Sequence, residues 1–339
     1  MPELRKDPVI GCWVIIASER ARRPGNFIDT SDNEIEDEEK ECSFCNNQEE
    51  AIVPGAQSKD VRVVAAKGAV SSSPAEFQRT TKGLYDCVDG FGEHEVIIET
   101  SGHIANMADL EVDQIRDVFK TYAVRMQELQ KDNRFHYVLA YKNYGSTAGS
   151  TGFGHTCSHI VATPVNPLRV KEKLFGAKEY YDKNNSCIYC DLIHQEVESQ
   201  ERIVCATEHF IAVIPFAARF LFETWIIPKN HHCNFHLGVQ GTEEDLAKMM
   251  KILLQKLQLG LDDPSYNFVI QTAPFYRGNS DGKKWKTVKK DYHWHIELMP
   301  RLTNIAGFEK GTGFYICAIP PENMAEYLRE VVINNKKDQ

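Results

Sequence analysis

The sequence lacks a long apolar run and an excess of basic residues. Its 339 residues contain no stretch near the roughly eighteen consecutive apolar positions of a membrane span, and charges interrupt the N-terminal MPELRKDPVIGCWVII. We therefore expect neither a transmembrane helix nor a signal peptide, and a cytoplasmic location. The 39 Lys and Arg residues against 48 Asp and Glu residues give a formal charge of -9. This balance argues against general binding to nucleic acids or membranes and requires a local basic site for any phosphate chemistry.

Cysteine, by contrast, is present at ten positions in a chain whose hydrophobic content of 42% is typical of a globular protein. Four of the ten form two CxxC pairs, CSFC (Cys42, Cys45) and CIYC (Cys187, Cys190). In a large chain without a leader, this spacing indicates metal binding more often than disulfides. Apart from Cys157, the other cysteines are expected to be small buried hydrophobic residues.

The two CxxC pairs also mark an internal duplication. After CSFC come VRVVAA, HEVIIETSGH, a helix, HYVLAYKNYG and HTCSH, and after CIYC come RIVCATEHFIAVIPFAA, FETWIIPKNHH, a helix, YNFVIQTAP and HWHIE. The parts follow in the same order in both halves, which is the signature of a repeated structural unit. We predict two units, at residues 1–170 and 171–339.

Hydrophobic periodicity gives the expected fold of each unit. Apolar residues from Val112 to Leu129 and from Leu246 to Leu257 recur with the three-to-four spacing of amphipathic helices, with Thr242 as an N-cap and Gly260 as a stop for the second. The short segments rich in Val, Ile, Tyr and Phe follow one another through polar or Gly/Pro turns. We therefore predict an α+β fold, with an antiparallel sheet and a packed helix in each half.

Histidines at matching repeat positions complete a ligand set for each CxxC pair. A CxxC turn supplies two thiolates, and histidines from other strands fill a tetrahedral zinc shell. This reasoning predicts two zinc sites, one per half, with the ligands Cys42, Cys45, His103 and His155, and Cys187, Cys190, His231 and His293. The alternative is that these are reduced cysteines with unrelated histidines.

Ordered motifs along nearly the whole chain resemble those of the galactose-1-phosphate uridylyltransferase family, within the histidine-triad superfamily, including its ADP-glucose phosphorylase branch. They include CSFC, GEHEVIIETSGH, KNYGSTAGS, HIVATP, FETWIIPKNH, YHWHIELMPRLT and GFEKGTGFYI. The resemblance implies two histidine-triad-like modules in a homodimer. It also implies double-displacement transfer of a nucleoside monophosphate between a nucleoside diphosphate sugar and a sugar phosphate or phosphate.

The resemblance also implies roles for individual residues. His155 takes the place of the first, zinc-binding histidine of the family's H-x-H-x-Q strand, Cys157 that of the nucleophilic histidine, and His159 that of the glutamine. The residues matched to substrate binding are Arg20, Arg23, Asn143, Glu309, Gly311, Thr312 and Gly313. Arginine forks suit a diphosphate.

The thiol at the centre of this motif leaves several hypotheses open. Cys157 is a nucleophile if neighbouring cationic groups lower its pKa. Alternatively, His159 is the general acid or base of a direct transfer. A hypothesis from a different functional class is that the protein contains zinc and binds nucleotide sugars without turnover. A nucleophilic His295 in HWHIE is a further alternative, although a metal or structural role suits that position better.

Overall fold

The computed structural model describes residues 2–18, 42–46, 53, 60–66, 79–88, 90–150, 154–275 and 285–333. Arg20 and Arg23 lie outside the described residues. The described strands form one sheet of nine strands, one of three and one of two. No described helix is both long enough and apolar enough to cross a bilayer.

The strands are β1 Glu3–Lys6, β2 Trp13–Ile16, β3 Arg62–Ala65, β4 Arg79–Lys82, β5 Tyr85–Val88, β6 Glu93–Ile98, β7 Tyr137–Tyr144, β8 Cys157–Thr163, β9 Ile203–Ala206, β10 Phe210–Val213, β11 Thr224–Pro228, β12 Tyr266–Gln271, β13 His295–Pro300 and β14 Tyr315–Cys317. The helices are α1 Ser43–Asn46, α2 Val112–Gln130, α3 Leu168–Asn184, α4 Ile188–Ser199, α5 Phe235–Gly238, α6 Glu243–Gly260, α7 Val288–Asp291, α8 Gly307–Thr312 and α9 Pro321–Glu330.

The large sheet contains both repeats and confirms the predicted tandem α+β modules. Its order is β3-β6-β8-β7-β12-β13-β11-β10-β9, and its neighbouring strands are antiparallel. The first module contributes β3-β6-β8-β7, and the second contributes β10-β11-β13-β12 in the matching order, with β9 added outside. The modules meet where β7 pairs with β12, so they share one continuous sheet.

One face of this sheet carries the main hydrophobic core, beneath the two helices that periodicity predicted. Phe119 of α2 and Leu253 of α6 are buried there with Ile160 of β8 and Phe268 of β12. Burying each such side chain contributes about 1.5–3 kcal/mol. This core runs through both modules, and the boundary between residues 170 and 171 stays a prediction.

The other face is covered unevenly. In the second module, α3 and α4 pack over it in a separate core that includes Val213 and Trp225. Among the described residues of the first module, the segment with α1 covers only Val64, Val96 and Ile98 near the outer edge. Alternate residues of β8 and β7, from Cys157 to Thr163 and from Leu139 to Asn143, are therefore partly exposed on this face. This leaves room for a ligand where the two modules join.

The N-terminal segment docks on α3 through a close backbone approach. A Cβ atom added at Gly176 would lie 1.6 Å from the carbonyl oxygen of Val9. Glycine is therefore required at this point of the helix, although glycine inside a helix costs about 0.5–1 kcal/mol relative to alanine. The contact ties the segment before β2 to the second module.

We predict that Gly176→Ala destabilises the protein by about 1–3 kcal/mol, because the added methyl group forces the N-terminal segment off α3. Denaturant unfolding measures this change. The matched control is Gly311→Ala in α8, where no heavy atom lies within 4 Å of the added Cβ, and it should not destabilise. Equal stability of the wild type and Gly176→Ala would contradict the docking.

Candidate active site and metal centres

The first CxxC pair and its two predicted histidines converge on one point. Cys42 precedes α1, Cys45 lies within it, and His103 and His155 come from the loops after β6 and before β8. Cys45 Sγ lies 3.4 Å from Nδ1 of both His103 and His155. His155 Nε2 lies 3.0 Å from the carbonyl oxygen of Thr100. Because a carbonyl only accepts, Nε2 carries the proton and Nδ1 presents its lone pair to the cluster.

The second cluster repeats this arrangement. Cys187 is the N-cap of α4, and Cys190 lies in its first turn. Cys190 Sγ lies 3.4 Å from His231 Nδ1 and 3.7 Å from His293 Nδ1. His231 Nε2 is 3.0 Å from the carbonyl oxygen of Lys289, which fixes the same tautomer as at His155.

Both donor sets fit a tetrahedral metal ion. In each cluster the four ligand atoms lie within 4.8 Å of one another. A tetrahedron with zinc–sulfur and zinc–nitrogen bonds has edges of about 3.5 Å, close to the separations of 3.4 and 3.7 Å seen here. Two cysteines with two histidines form a closed structural set without an open position, so these sites would hold the strands rather than carry out chemistry.

His295 lies outside the second cluster. Its ring is fully buried, with Nδ1 3.0 Å from the carbonyl oxygen of His293 and Nε2 3.4 Å from Lys173 Nζ. Lys173 also forms a buried ion pair with Glu297, 2.5 Å away, and Arg219 lies 3.3 Å from the same carboxylate. By the repeat, His295 and Glu297 correspond to Cys157 and His159. In the second module this place is filled by protein side chains, so His295 has no access to a substrate.

Cys157 and His159 lie on the partly exposed face of β8, as the alternation predicted. His159 is opposite Val96 of β6 and Tyr141 of β7. Continuing the β7–β8 register by two residues places Asn143 beside Cys157 on the same face. The structure thus brings three predicted site residues together in the middle of the sheet.

The ring of His159 is held between two aromatic neighbours. His159 Nδ1 lies 3.1 Å from His94 Nε2. The ring also stacks on Tyr141, with centroids 5.1 Å apart and an interplanar angle of 21°. Burial, and then the nearby His94, lower the pKa of His159 to about 4, and burial lowers the pKa of His94. At neutral pH both rings are uncharged, so one donates to the other and His159 acts as a neutral polar group.

The surroundings of Cys157 differ from the sequence-based expectation of nearby cations that lower its pKa. Cys157 packs against Val64, Val96 and Ile98. Burial raises the pKa of the Cys157 thiol to about 11, against a smaller opposite effect of Lys142. In the ligand-free protein the thiol is therefore protonated at neutral pH.

A buried polar cluster lies behind this strand. The ammonium group of Lys142 donates to Glu99 Oε2 at 2.7 Å, to Thr156 Oγ1 at 2.7 Å and to the carbonyl oxygen of Cys157 at 2.9 Å. Tyr122 of α2 donates to Ser158 Oγ at 2.5 Å. These bonds fix the start of β8 from the core side of the sheet.

Three residues near the site were not assigned from the sequence. Asn267 of β12 donates to Asn143 Oδ1 at 2.7 Å, and Arg301 donates to Asn267 Oδ1 at 2.5 Å. His94 is the third, through its contact with His159. In the sequence, only the strand alternation points to these residues. It shows that they face the site only once the pairing of β7 with β12 is known.

The remaining predicted substrate residues lie in and after α8. Glu309 accepts from the backbone of Ala306 and Ile316, and Thr312 donates to the carbonyl oxygen of Phe308. Gly313 ends the helix in the left-handed region, at φ 73°. Among the described residues, the contacts of Glu309, Gly311, Thr312 and Gly313 stay within this loop and β14, and their substrate role stays a prediction.

Comparison with known proteins places both halves of the chain in one family. The N-terminal domain of galactose-1-phosphate uridyl transferase matches residues 1–167, and its C-terminal domain matches residues 173–331. The ADP-glucose phosphorylase of Arabidopsis thaliana is 33% identical over 97% of this chain and 93% of its own length. The galactose-1-phosphate uridylyltransferase of Thermotoga maritima is 26% identical over 98% of this chain and 99% of its own length.

Solved structures agree with these matches. A crystal structure of the Arabidopsis thaliana ADP-glucose phosphorylase with bound ADP-glucose superposes with a TM-score of 0.80 at 32% identity, over 98% of this chain and 100% of that one. A uridylyltransferase structure superposes with a TM-score of 0.73 at 26% identity, over 97% of this chain and 98% of that one. The domain matches and the shared fold show that this chain belongs to the galactose-1-phosphate uridyl transferase family.

Proposed function

We propose that the protein is a nucleotidyltransferase that moves a nucleoside monophosphate between a nucleoside diphosphate sugar and a sugar phosphate or phosphate. The observation that carries this proposal is the row of Cys157, His159 and Asn143 on the partly exposed face of β7 and β8. The resemblance implies that this row is the family's nucleophile strand, and the first group of potential metal ligands lies at its start. Relatives that match nearly the whole chain are named ADP-glucose phosphorylase and galactose-1-phosphate uridylyltransferase.

In this mechanism Cys157 attacks the α-phosphorus of the donor. A sulfur–phosphorus bond forms, the bond to the bridging oxygen breaks, and sugar 1-phosphate leaves. The leaving phosphate, with a pKa near 6, is a stronger base than His159, whose pKa is lowered to about 4, and it takes up the thiol proton. An oxygen of the acceptor phosphate then attacks the phosphorus and releases the thiolate, which takes up the proton that the acceptor phosphate loses.

His159 acts as a hydrogen-bond donor in this proposal. A neutral imidazole can donate one N–H, and the glutamine amide at this position of the family's H-x-H-x-Q motif can also donate an N–H. Directed at a phosphoryl oxygen, it stabilises the charge that develops in the transition state. Stacking on Tyr141 and the bond to His94 hold the ring in place before the substrate arrives.

A second candidate function is nucleotide-sugar binding without turnover. The observation that favours it is the protonated thiol, because burial raises the pKa of Cys157 to about 11 and thiols react as thiolates. A third possibility is direct transfer, in which the protein is an enzyme but forms no covalent intermediate. The same set of variants separates all three.

We predict that Cys157→Ser abolishes nucleotidyl transfer from ADP-glucose or UDP-glucose, because a serine hydroxyl ionises far less readily than a thiol. His159→Ala should lose about 10²-fold or more in rate. Intact mass spectrometry of the wild type should show an added nucleoside monophosphate that maps to Cys157. The matched control is Cys87→Ser, at an exposed cysteine of β5, which should retain the wild-type rate.

Other results with these variants would support direct transfer or binding without turnover. Retention of most of the rate in Cys157→Ser, with its loss in His159→Ala, would show direct transfer. Donor binding without transfer in the wild type, with transfer gained in Cys157→His combined with His159→Gln, would show a binding protein. A wild-type rate that survives both single substitutions would mean that neither residue carries the chemistry.

We also propose that zinc occupies both clusters, supported by their donor sets and separations. Purified protein should contain two zinc ions per chain. Cys45→Ser and Cys190→Ser should each lower the content to one, because each removes one ligand, whereas Cys87→Ser should leave two. Metal analysis by mass spectrometry checks this, and a content near zero with a fold insensitive to chelators would contradict it.

We further propose a cytoplasmic homodimer. None of the ten cysteines, all of which lie in the described ranges, forms a disulfide, as expected in a reducing compartment. The resemblance implies a partner chain that completes the active site. The edge strands β3 and β9 have only four residues each, so side chains rather than added strands should form the contact. Light scattering at micromolar concentration tests the dimer, and a monomer would contradict it.

A further inference from the structure

Arg301 lies on the same face of the sheet as Cys157 and Asn143. It directly follows β13, where its backbone N–H donates to the carbonyl oxygen of Ser265 at 2.8 Å. Met299, two residues earlier, pairs with Asn267. Because side chains alternate along a strand, Arg301 projects to the same side as Asn267.

The guanidinium group of Arg301 is half-buried and has spare donors. Its Nε donates to Asn267 Oδ1, and its carbon lies 5.3 Å from the centre of the Phe220 ring. Within the part of the chain that the structure describes, its two terminal NH₂ groups have no hydrogen bond or ion pair. By contrast, the buried Arg125 and Arg202 each pair with a glutamate, at 2.5 and 2.9 Å.

A charged group in such a place is unfavourable unless an anion joins it. Burial lowers the pKa of Arg301, and no carboxylate among the described residues opposes this effect. The group nevertheless stays charged, since arginine does not deprotonate in proteins. Guanidinium forks with free parallel N–H groups bind phosphate oxygens in pairs. An anion with at least two oxygens suits these unused donors.

Two asparagines connect this arginine to the strand with Cys157. Since the guanidinium only donates, Asn267 must turn its oxygen to Arg301 and its nitrogen to Asn143, where the bond is 2.7 Å. Asn267 also donates to the carbonyl oxygen of Ala148 at 2.9 Å. Asn267 lies two strands from β8, or roughly 10 Å, and Arg301 starts one strand further away but reaches back to Asn267 with its side chain. A sulfur–phosphorus bond, a P–O–P bridge and an arginine–phosphate hydrogen bond together span roughly 9 Å.

We propose that Arg301, oriented by Asn267, is an anion subsite for the phosphate group that is not transferred. This is the phosphate of the leaving sugar 1-phosphate, or the inorganic phosphate that replaces it as acceptor. The assignment rests on the proposed nucleotidyl transfer at Cys157. It adds a cation directly after β13, at a residue that the sequence analysis did not assign.

Titration calorimetry with inorganic phosphate and with glucose 1-phosphate tests the subsite without turnover. Arg301→Gln should raise the dissociation constants of both about tenfold or more, because a charge-assisted bidentate contact is lost. Arg301→Lys keeps the charge without the fork and should give an intermediate loss. The control is Arg169→Gln on the exposed surface of α3, where the arginine pairs with Glu172, and it should bind as the wild type does.

The same variants separate this proposal from the proposed function. A tenfold loss of phosphate binding in Arg301→Gln supports the subsite even if no nucleotide transfer is found. Undiminished binding in Arg301→Gln, or no binding of either phosphate by the wild type, overturns it even if transfer at Cys157 is active. If Arg301→Gln unfolds, as judged by zinc content and circular dichroism, Arg301→Lys decides by the same criteria.

Discussion

The buried ion pair between Lys142 and Glu99 is the interaction on which the site depends. Both side chains are almost wholly inaccessible, at 1% and 0% exposure. Lys142 comes from β7 and Glu99 from the end of β6, and both also bind Thr156 at the start of β8. Removing one partner of such a pair leaves an uncompensated charge and typically costs about 3–5 kcal/mol. The pair thus locks three neighbouring strands in one register.

Both parts of the first site follow from that register. Thr100, next to Glu99, accepts the hydrogen bond that aims His155 at the metal cluster, and the carbonyl of Cys157 is bound by Lys142. The predicted metal ligand His155 and the proposed nucleophile Cys157 are therefore positioned from the core side of the sheet. The open side is left to His159 and its aromatic neighbours, and to the substrate.

The duplicated strand explains why the candidate active site lies in the first module of the described structure. In the second module α3 covers the sheet and Lys173 sits between His295 and Glu297, so protein charges satisfy one another. In the first module the equivalent face has no such helix among the described residues. The same motif thus serves packing in one half and remains accessible in the other.

Much of this arrangement was predictable from the sequence because it depends on local spacing. The eight predicted metal ligands converge in two groups, since the repeat and the CxxC spacing determine their positions. The helices α2 and α6 follow their apolar periods. The small sheet of β1, β2 and β14 and the helices α3 and α4 were not predicted. Asn267 and Arg301 reach the site only through the pairing of β7 with β12, which joins residues more than a hundred positions apart. The environment of Cys157 was also missed, because burial depends on which side chains cover the strand.

In the proposed function, a nucleotidyl group passes through Cys157. The most direct measurement compares the wild type with Cys157→Ser in the exchange of labelled glucose 1-phosphate into ADP-glucose or UDP-glucose. A covalent intermediate predicts exchange, because the first half-reaction is complete and reversible by itself, and Cys157→Ser should abolish it. Net transfer to an acceptor without any such exchange would contradict the account.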